Sequence, residues 1–125
     1  MKDCVFCQVP KGHHVMENEF FYVLHDKYPV SPGHVLIVPK RHVETIFELD
    51  QEEKQALLVL MERAKAVIEE ERKPDGFNFG INQGEAAGQT IAHLHLHVIP
   101  RYRGDIEEPE GGVRGAVPHK RKYRE

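Results

Sequence analysis

Three histidines alternate with Leu94, Leu96 and Val98 in the run His93-Leu94-His95-Leu96-His97-Val98. A strand sends successive side chains to opposite faces, so this spacing predicts an apolar row turned inward and three imidazoles on one surface. Imidazole titrates nearest to neutrality among the side chains, so at pH 7 it can serve as nucleophile, proton donor or metal ligand. Residues two apart on a strand are separated by roughly 6.6 Å, which places His93 and His97 about 13 Å apart at Cα. Zinc–nitrogen bonds are only about 2.0–2.1 Å long. Two neighbours can share an ion, but three can hardly converge on one, so the row predicts at least two tasks. The plain alternative is a strand with polar histidines facing water.

The loop Gly84-Glu85-Ala86-Ala87-Gly88-Gln89-Thr90 opens directly onto these histidines. Glycines allow backbone amides to turn toward an anion, and Thr90 adds a hydroxyl donor. Many loops hold two glycines, but next to a histidine nucleophile this one reads as a phosphate cradle. Neutral imidazole attacks phosphorus and leaves again from the phosphoramidate, which splits one displacement into two easier ones. A neighbouring imidazolium can protonate the leaving oxygen, and donors around the non-bridging oxygens stabilise the developing charge.

The chain's two cysteines, Cys4 and Cys7, form a C-x-x-C pair. A redox motif wants a helix N-terminus after a strand, whereas Val9-Pro10-Lys11-Gly12 opens a helix poorly. A zinc site needs two further ligands, and nine histidines are available. On spacing alone zinc, redox and no role at all stay open.

The elements that position these groups follow from periodicity and turn chemistry. Phe20 to His25 is a short aromatic and β-branched run that predicts a strand. Tyr28-Pro29-Val30-Ser31-Pro32-Gly33 is a turn. His34-Val35-Leu36-Ile37-Val38 follows, apolar on both faces as in a central strand, and Pro39 ends it. Asp50 to Glu53 resembles a capping box, with an acceptor at the N-cap and an acid three residues on. A helix is expected from there to about Arg72, burying Leu57, Leu60, Met61, Ala64 and Ile68, with Glu62, Lys65 and Glu69 outside. Pro74-Asp75-Gly76 stops it. Phe77 to Asn82 alternates as a half-buried strand with Asn78, Gly80 and Asn82 on its outer face. The histidine strand is expected over about Thr90 to Ile99, antiparallel to the preceding one, which sets Asn82 near the histidines. Residues 105–125 carry an acidic stretch (Asp105 to Glu110) and a basic one (Lys120 to Arg124). They read as a tail extending the domain of residues 1–104, laid on the body or another subunit, or solvated.

With 125 residues, 40% hydrophobic, 30% charged and a net charge of −3, the chain suits one ordinary globular domain with no basic excess for nucleic acid. No apolar run approaches a membrane span and no leader pattern precedes the first polar residues, so the expected location is the cytoplasm.

Gly88-Gln89-Thr90-x-x-His93-x-His95-x-His97-Val98-Ile99-Pro100-Arg101 resembles the signature of the histidine-triad (HIT) family, and Gly33-His34-Val35-Leu36-Ile37-Val38-Pro39-Lys40-x-His42 matches its second block. The resemblance spans about residues 3 to 103. It is nearest to the dinucleoside-polyphosphate hydrolase branch, which the Pro100-Arg101 ending favours over the phosphoramidase branch. The tail, with Gly111-Gly112-Val113-Arg114, resembles neither.

The resemblance implies a role for each matching position. His95 is the nucleophile on the α-phosphorus. His97 contacts phosphate and leaving group, and the His93 carbonyl orients His95. His34 supports the site from behind. Asp26 binds the ribose hydroxyls, or else caps a turn, and Asn82, Gly88, Gln89 and Thr90 contact phosphate. Some members, and the related galactose-1-phosphate uridylyltransferases, carry a structural zinc, and its positions here are Cys4, Cys7, His42 and His93. His13, His14, His25 and His119 match nothing catalytic and are expected on the surface. The implied fold is α+β: an antiparallel sheet of about five strands, one long helix and a short helical turn near Thr45 to Leu49. The implied protein is a homodimeric enzyme acting on a small-molecule nucleotide, with no nucleic-acid or membrane partner. Its implied reaction is hydrolysis of adenosine dinucleoside polyphosphates through a nucleotidyl-histidine. Phosphoramidase, nucleotidyl transfer to phosphate, and a zinc-stabilised nucleotide-binding module with incidental turnover are the other readings.

Overall fold

Asp50 starts the long helix, α1 (Gln51–Arg72), by the reciprocal cap its sequence predicts: its carboxylate accepts from the Glu53 amide at 2.9 Å, and Glu53 accepts from the Asp50 amide at 2.9 Å. The stripe Leu57, Leu60, Ala64 and Ile68 is buried and Met61 packs at its margin. Lys73 ends the helix in the left-handed region at φ 51 before Pro74. The computed structural model describes residues 3–123; Met1, Lys2, Arg124 and Glu125 lie outside them. Among the described residues no helix is long and apolar enough to cross a membrane.

Five antiparallel strands form one sheet: β1 (Met16–Glu17), β2 (Phe21–His25), β3 (Val35–Pro39), β4 (Gly76–Gly80) and β5 (Leu96–Arg101), in the spatial order β1-β2-β3-β5-β4. This is the expected α+β architecture, with a helical turn at Ile46–Glu48. The two-residue β1 was not among the expected strands; a pair that short carries no readable alternation.

Both faces of the sheet are covered. One packs α1 through Phe21, Val23, Val35, Ile37, Leu96 and Val98. The other is covered by the N-terminal segment, whose Cys4 and Phe6 pack on Tyr22, Leu36 and Val38. The central β3 is therefore buried along its whole length.

The histidine strand is shorter than expected. Its ladder with β3 runs only from Val35↔Val98 to Ile37↔Leu96. Pro39 has no N–H to offer there, its carbonyl lies 2.8 Å from His93 Nε2, and the Leu94 amide turns to the Val43 carbonyl at 2.7 Å. His93 and His95 thus precede β5 and only His97 lies within it. Nor does the row face open water, because His93 and His95 are buried beneath the N-terminal segment.

The tail folds back on the body. Helical turns at Gly112–Ala116 and Pro118–Lys120 follow an Arg101–Asp105 ion pair, and the first turn packs against β4.

Candidate active site

A cross-strand row fixes the site. Leu24 on β2 pairs with Leu36 on β3, Leu36 with His97 on β5, and His97 with Gly80 on β4. Paired residues share a face, so these four cross the sheet on the side away from α1. His95 stands beside them, its ring centroid 5.3 Å from that of His97.

His95 Nδ1 lies 2.9 Å from the His93 carbonyl oxygen. A carbonyl only accepts, so Nδ1 carries the proton and donates, and Nε2 of the neutral ring keeps its lone pair. His95 lines a cavity of roughly 520 Å³ together with Asp26, Asn82, Gly88, Thr90, His97 and an apolar floor. Phe6 reaches over this floor and packs 4.9 Å from His95 and 5.8 Å from His93.

A second chain of contacts sets His97. The Val30 amide donates to His34 Nδ1 at 3.0 Å, so neutral His34 holds its proton on Nε2. That Nε2 lies 3.0 Å from His97 Nδ1 and 3.3 Å from the Asp26 carboxylate. His97 Nδ1 accordingly accepts, which leaves the His97 proton on Nε2 as a donor. Burial pushes both imidazoles below their ordinary value, followed at His97 by the neighbouring His95 and His34, with Asp26 pulling the other way at each. Both rings are neutral at pH 7. Asp26, His34 and His97 are grouped closely enough to hold a cation. The proton on His34 Nε2 argues against one, since a metal needs that lone pair.

Asp26 does two things at once: its Oδ1 accepts from the Tyr28 amide at 2.8 Å, and its Oδ2 faces His34. Asn82, Gly88 and Thr90 border the His95 cavity. Gln89 does not. Its side chain accepts from the Gly84 amide at 2.8 Å and donates to the Glu44 carbonyl at 3.1 Å, so it braces the loop instead. Part of the loop's amides are engaged within it: Ala87 and Gln89 donate to the Gly84 carbonyl and Gly88 to that of Glu85.

Behind the site, Cys4, Cys7, His42 and His93 converge. His93 Nδ1 lies 3.3 Å from Cys4 Sγ, 3.5 Å from Cys7 Sγ and 3.1 Å from His42 Nδ1, and Cys7 Sγ is 3.3 Å from His42 Nδ1. A tetrahedral zinc with bonds of about 2.0–2.3 Å holds its donors roughly 3.3–3.8 Å apart. The His93 Nε2–H donates to the Pro39 carbonyl, which leaves Nδ1 bare toward the cluster, the outer support expected of a ligating histidine. The thiols are unbridged, and burial raises the Cys7 thiol, so binding a cation there would release its proton. The donor set fits zinc.

Several site residues escaped the sequence reading. Phe6 lines the His95 cavity, and its one sequence signal is an aromatic placed between two candidate ligands. The Val30 amide sets the His34 tautomer and leaves no side-chain signal. His14, expected on the surface, is nearly buried and stacks on Tyr22 at 4.1 Å.

Residues 8–104 match the family model described as the HIT domain. A bis(5'-adenosyl)-triphosphatase of Dictyostelium discoideum is 43% identical over 89 residues, covering 71% of this chain and 60% of that protein. An AP-4-A phosphorylase of Mycobacterium tuberculosis is 37% identical over 106 residues, covering 80% of this chain and 54% of that protein. The chain thus spans less than two thirds of either. A crystal structure of a Zn-bound histidine triad family protein from Mycobacterium smegmatis superposes with a TM-score of 0.73 at 34% identity, covering 83% of this chain and 78% of that one.

Proposed function

The chain belongs to the HIT family, and on that premise we propose that it cleaves adenosine dinucleoside polyphosphates at the α-phosphate through a nucleotidyl intermediate on His95. The observation that carries the reading is the bond from His95 Nδ1 to the His93 carbonyl at 2.9 Å, which leaves the Nε2 lone pair for phosphorus. The triphosphatase and phosphorylase relatives support the substrate class.

In the first step the His95 Nε2–P bond forms and the bond from phosphorus to the bridging oxygen breaks. The His97 Nε2–H stands by to donate to that oxygen as charge builds on it. In the second step water attacks phosphorus and loses a proton to solvent, the N–P bond breaks with its electron pair returning to His95 Nε2, and the nucleoside monophosphate leaves. Thr90 and Asn82 border the phosphate position, Asp26 the ribose, and Phe6, Leu24, Leu36 and Ile91 form the apolar surface for the base. Gln89 acts by holding the loop. Zinc on Cys4, Cys7, His42 and His93 supplies structure alone, since four protein ligands leave no open position. A homodimer belongs to the same reading, and sedimentation in solution tests it by mass.

The test is His95→Ala. Turnover should fall by about four orders of magnitude or more while nucleotide binding persists, because the covalent route is closed. A trapped adduct on any other residue overturns the mechanism. The phosphorylase relative favours one second reading, in which phosphate replaces water in the second step. With diadenosine tetraphosphate, hydrolysis gives AMP and ATP whereas phosphate attack gives ADP and ATP, so ADP that forms only when phosphate is supplied identifies it.

A further inference from the structure

His97 borders two cavities. The first, described above, also holds His95, Phe6, Leu24 and Leu36. The second, of roughly 490 Å³, spreads over Val30, His34, Ile99, Val113 and Ala116, and His95 is not among its lining residues. The two meet at Asp26, Tyr28, Asn82 and His97. Along the row Leu24, Leu36, His97, Gly80 they lie on opposite sides of His97. A phosphorus held over His95 and His97 with its nucleoside in the first cavity therefore has its leaving group next to the second.

We propose that the second cavity is a leaving-group subsite, walled on its outer side by the tail, that takes an uncharged aromatic ring: the distal base of a dinucleoside polyphosphate. This rests on the reading of His95 as the nucleophile. Charge decides against the polyphosphate itself as occupant, for no Lys or Arg lines the cavity. Apolar surface decides for a ring. Tyr28 is 79% exposed, Val30 71% and Val113 67%, three large side chains turned toward water around one hollow.

The wall is braced, and the family match ends before it, at residue 104. The Arg114 guanidinium donates to the carbonyls of Lys120 at 2.9 Å and Arg121 at 3.1 Å. Arg121 donates to the Glu108 carbonyl and Lys122 pairs with the Glu108 carboxylate. At the tail's root Arg101 grips Asp105 and donates to Asn78 at 2.7 Å. Gly111 sits at φ +92, where a Cβ would meet the Arg121 carbonyl oxygen at 1.9 Å, so only glycine closes this loop.

The experiment compares kcat/KM for diadenosine triphosphate and for a methyl-capped adenosine triphosphate that lacks the distal nucleoside, in the parent, Val113→Glu and Gly111→Ala. Stacking and apolar contact should give the parent a preference of roughly tenfold for the dinucleotide. Both variants should lose most of that preference, chiefly through KM. Val113 is exposed, so its replacement should leave the fold intact, and Val113→Ala should give an intermediate loss. A parent that cleaves both substrates equally well overturns the subsite while leaving the His95 reading standing. So does a preference that survives all three substitutions. A parent that cleaves neither substrate and forms no adduct overturns the reading beneath it.

Discussion

His95 Nδ1 donates to the backbone carbonyl of His93 across 2.9 Å, and the side chain of the same His93 turns the other way, into the Cys4, Cys7 and His42 cluster. One residue therefore joins the Cys/His cluster to the proposed nucleophile, through its side chain on one side and its main chain on the other. His93 serves the cluster, His97 faces His34 and Asp26, and His95 stands between them.

If zinc occupies that corner, removing it should be felt first as lost stability. One zinc per chain is expected by elemental analysis of protein purified without chelators. Cys4→Ser or Cys7→Ser should lower Tm by about 10 °C or more, because the bound cation is part of the folding free energy. The rate of the protein that remains folded should fall less than about tenfold, since the metal acts on His95 only by way of the His93 main chain. Metal-free protein with an unchanged Tm excludes the site.

Acid should disable the His34 and His97 pair. Their folded values lie below the ordinary imidazole value of 6.5, with burial as the leading cause at each. The unfolded chain then binds more protons in that interval, so stability rises with pH there, and the contribution is lost as pH falls from 6.5 through the lowered folded values. A proton on His34 Nδ1 would also displace the Val30 amide. The log of kcat/KM should be flat near neutrality and fall on an acid limb centred below pH 6.5. Replacing His34 with Ala should lower kcat roughly 10–100-fold, as removing a support behind a reacting group does, and should move that limb. A limb that stays put in the variant would show that His34 takes no part.

Much of the fold could be read because its devices are local. The Asp50–Glu53 cap, the stripe from Leu57 to Ile68 and the apolar run before Pro39 each carry their own pattern within a few residues. The motif picked out His93, His95, His97 and His34 and the candidate ligands Cys4, Cys7 and His42, and in the structure these fall into two adjoining groups joined at His93. What stayed hidden depends on distant partners. Gln89 is turned to Glu44, across 45 residues. His14 is half-buried by stacking on Tyr22, and three of the loop's amides close on its own carbonyls. The tail has no apolar periodicity, so nothing local told its self-bracing from a solvated end.

The helix cap yields a stability prediction. Glu53 is only 4% exposed, yet it accepts from Arg41 Nε at 2.9 Å, from Arg41 Nη2 at 3.0 Å and from the Asp50 amide. Glu53→Ala removes the ion pair and half of the reciprocal cap, and should lower stability by about 1–3 kcal/mol. Chemical denaturation of the metal-loaded protein reads this directly. Arg41 precedes the candidate ligand His42, so the variant should also release metal to a chelator faster. A denaturation midpoint equal to the parent's would mean that the pair contributes nothing.

Asp26 poses the sharpest choice, because its carboxylate closes the turn at Tyr28 and the residue also borders the His95 cavity. A carboxylate suits two adjacent hydroxyl donors, and charge-assisted bonds are the stronger kind. Asp26→Ala removes both roles together. Asp26→Asn keeps an oxygen for the Tyr28 amide while removing the charge, so it separates them. If Asp26 grips the ribose, both variants should raise KM for ribonucleotides. Their preference over 2′-deoxy substrates should shrink by on the order of 1.5–3 kcal/mol when one charged hydrogen bond carries it. If Asp26 only closes the turn, Asp26→Asn should behave as the parent and Asp26→Ala should lose stability and rate on ribo- and deoxyribo-substrates alike. The measurement is kcat/KM for both substrate series in all three proteins, with Tm recorded beside it. A ribose preference kept intact by Asp26→Asn assigns the residue to the turn and leaves the ribose without a charged partner.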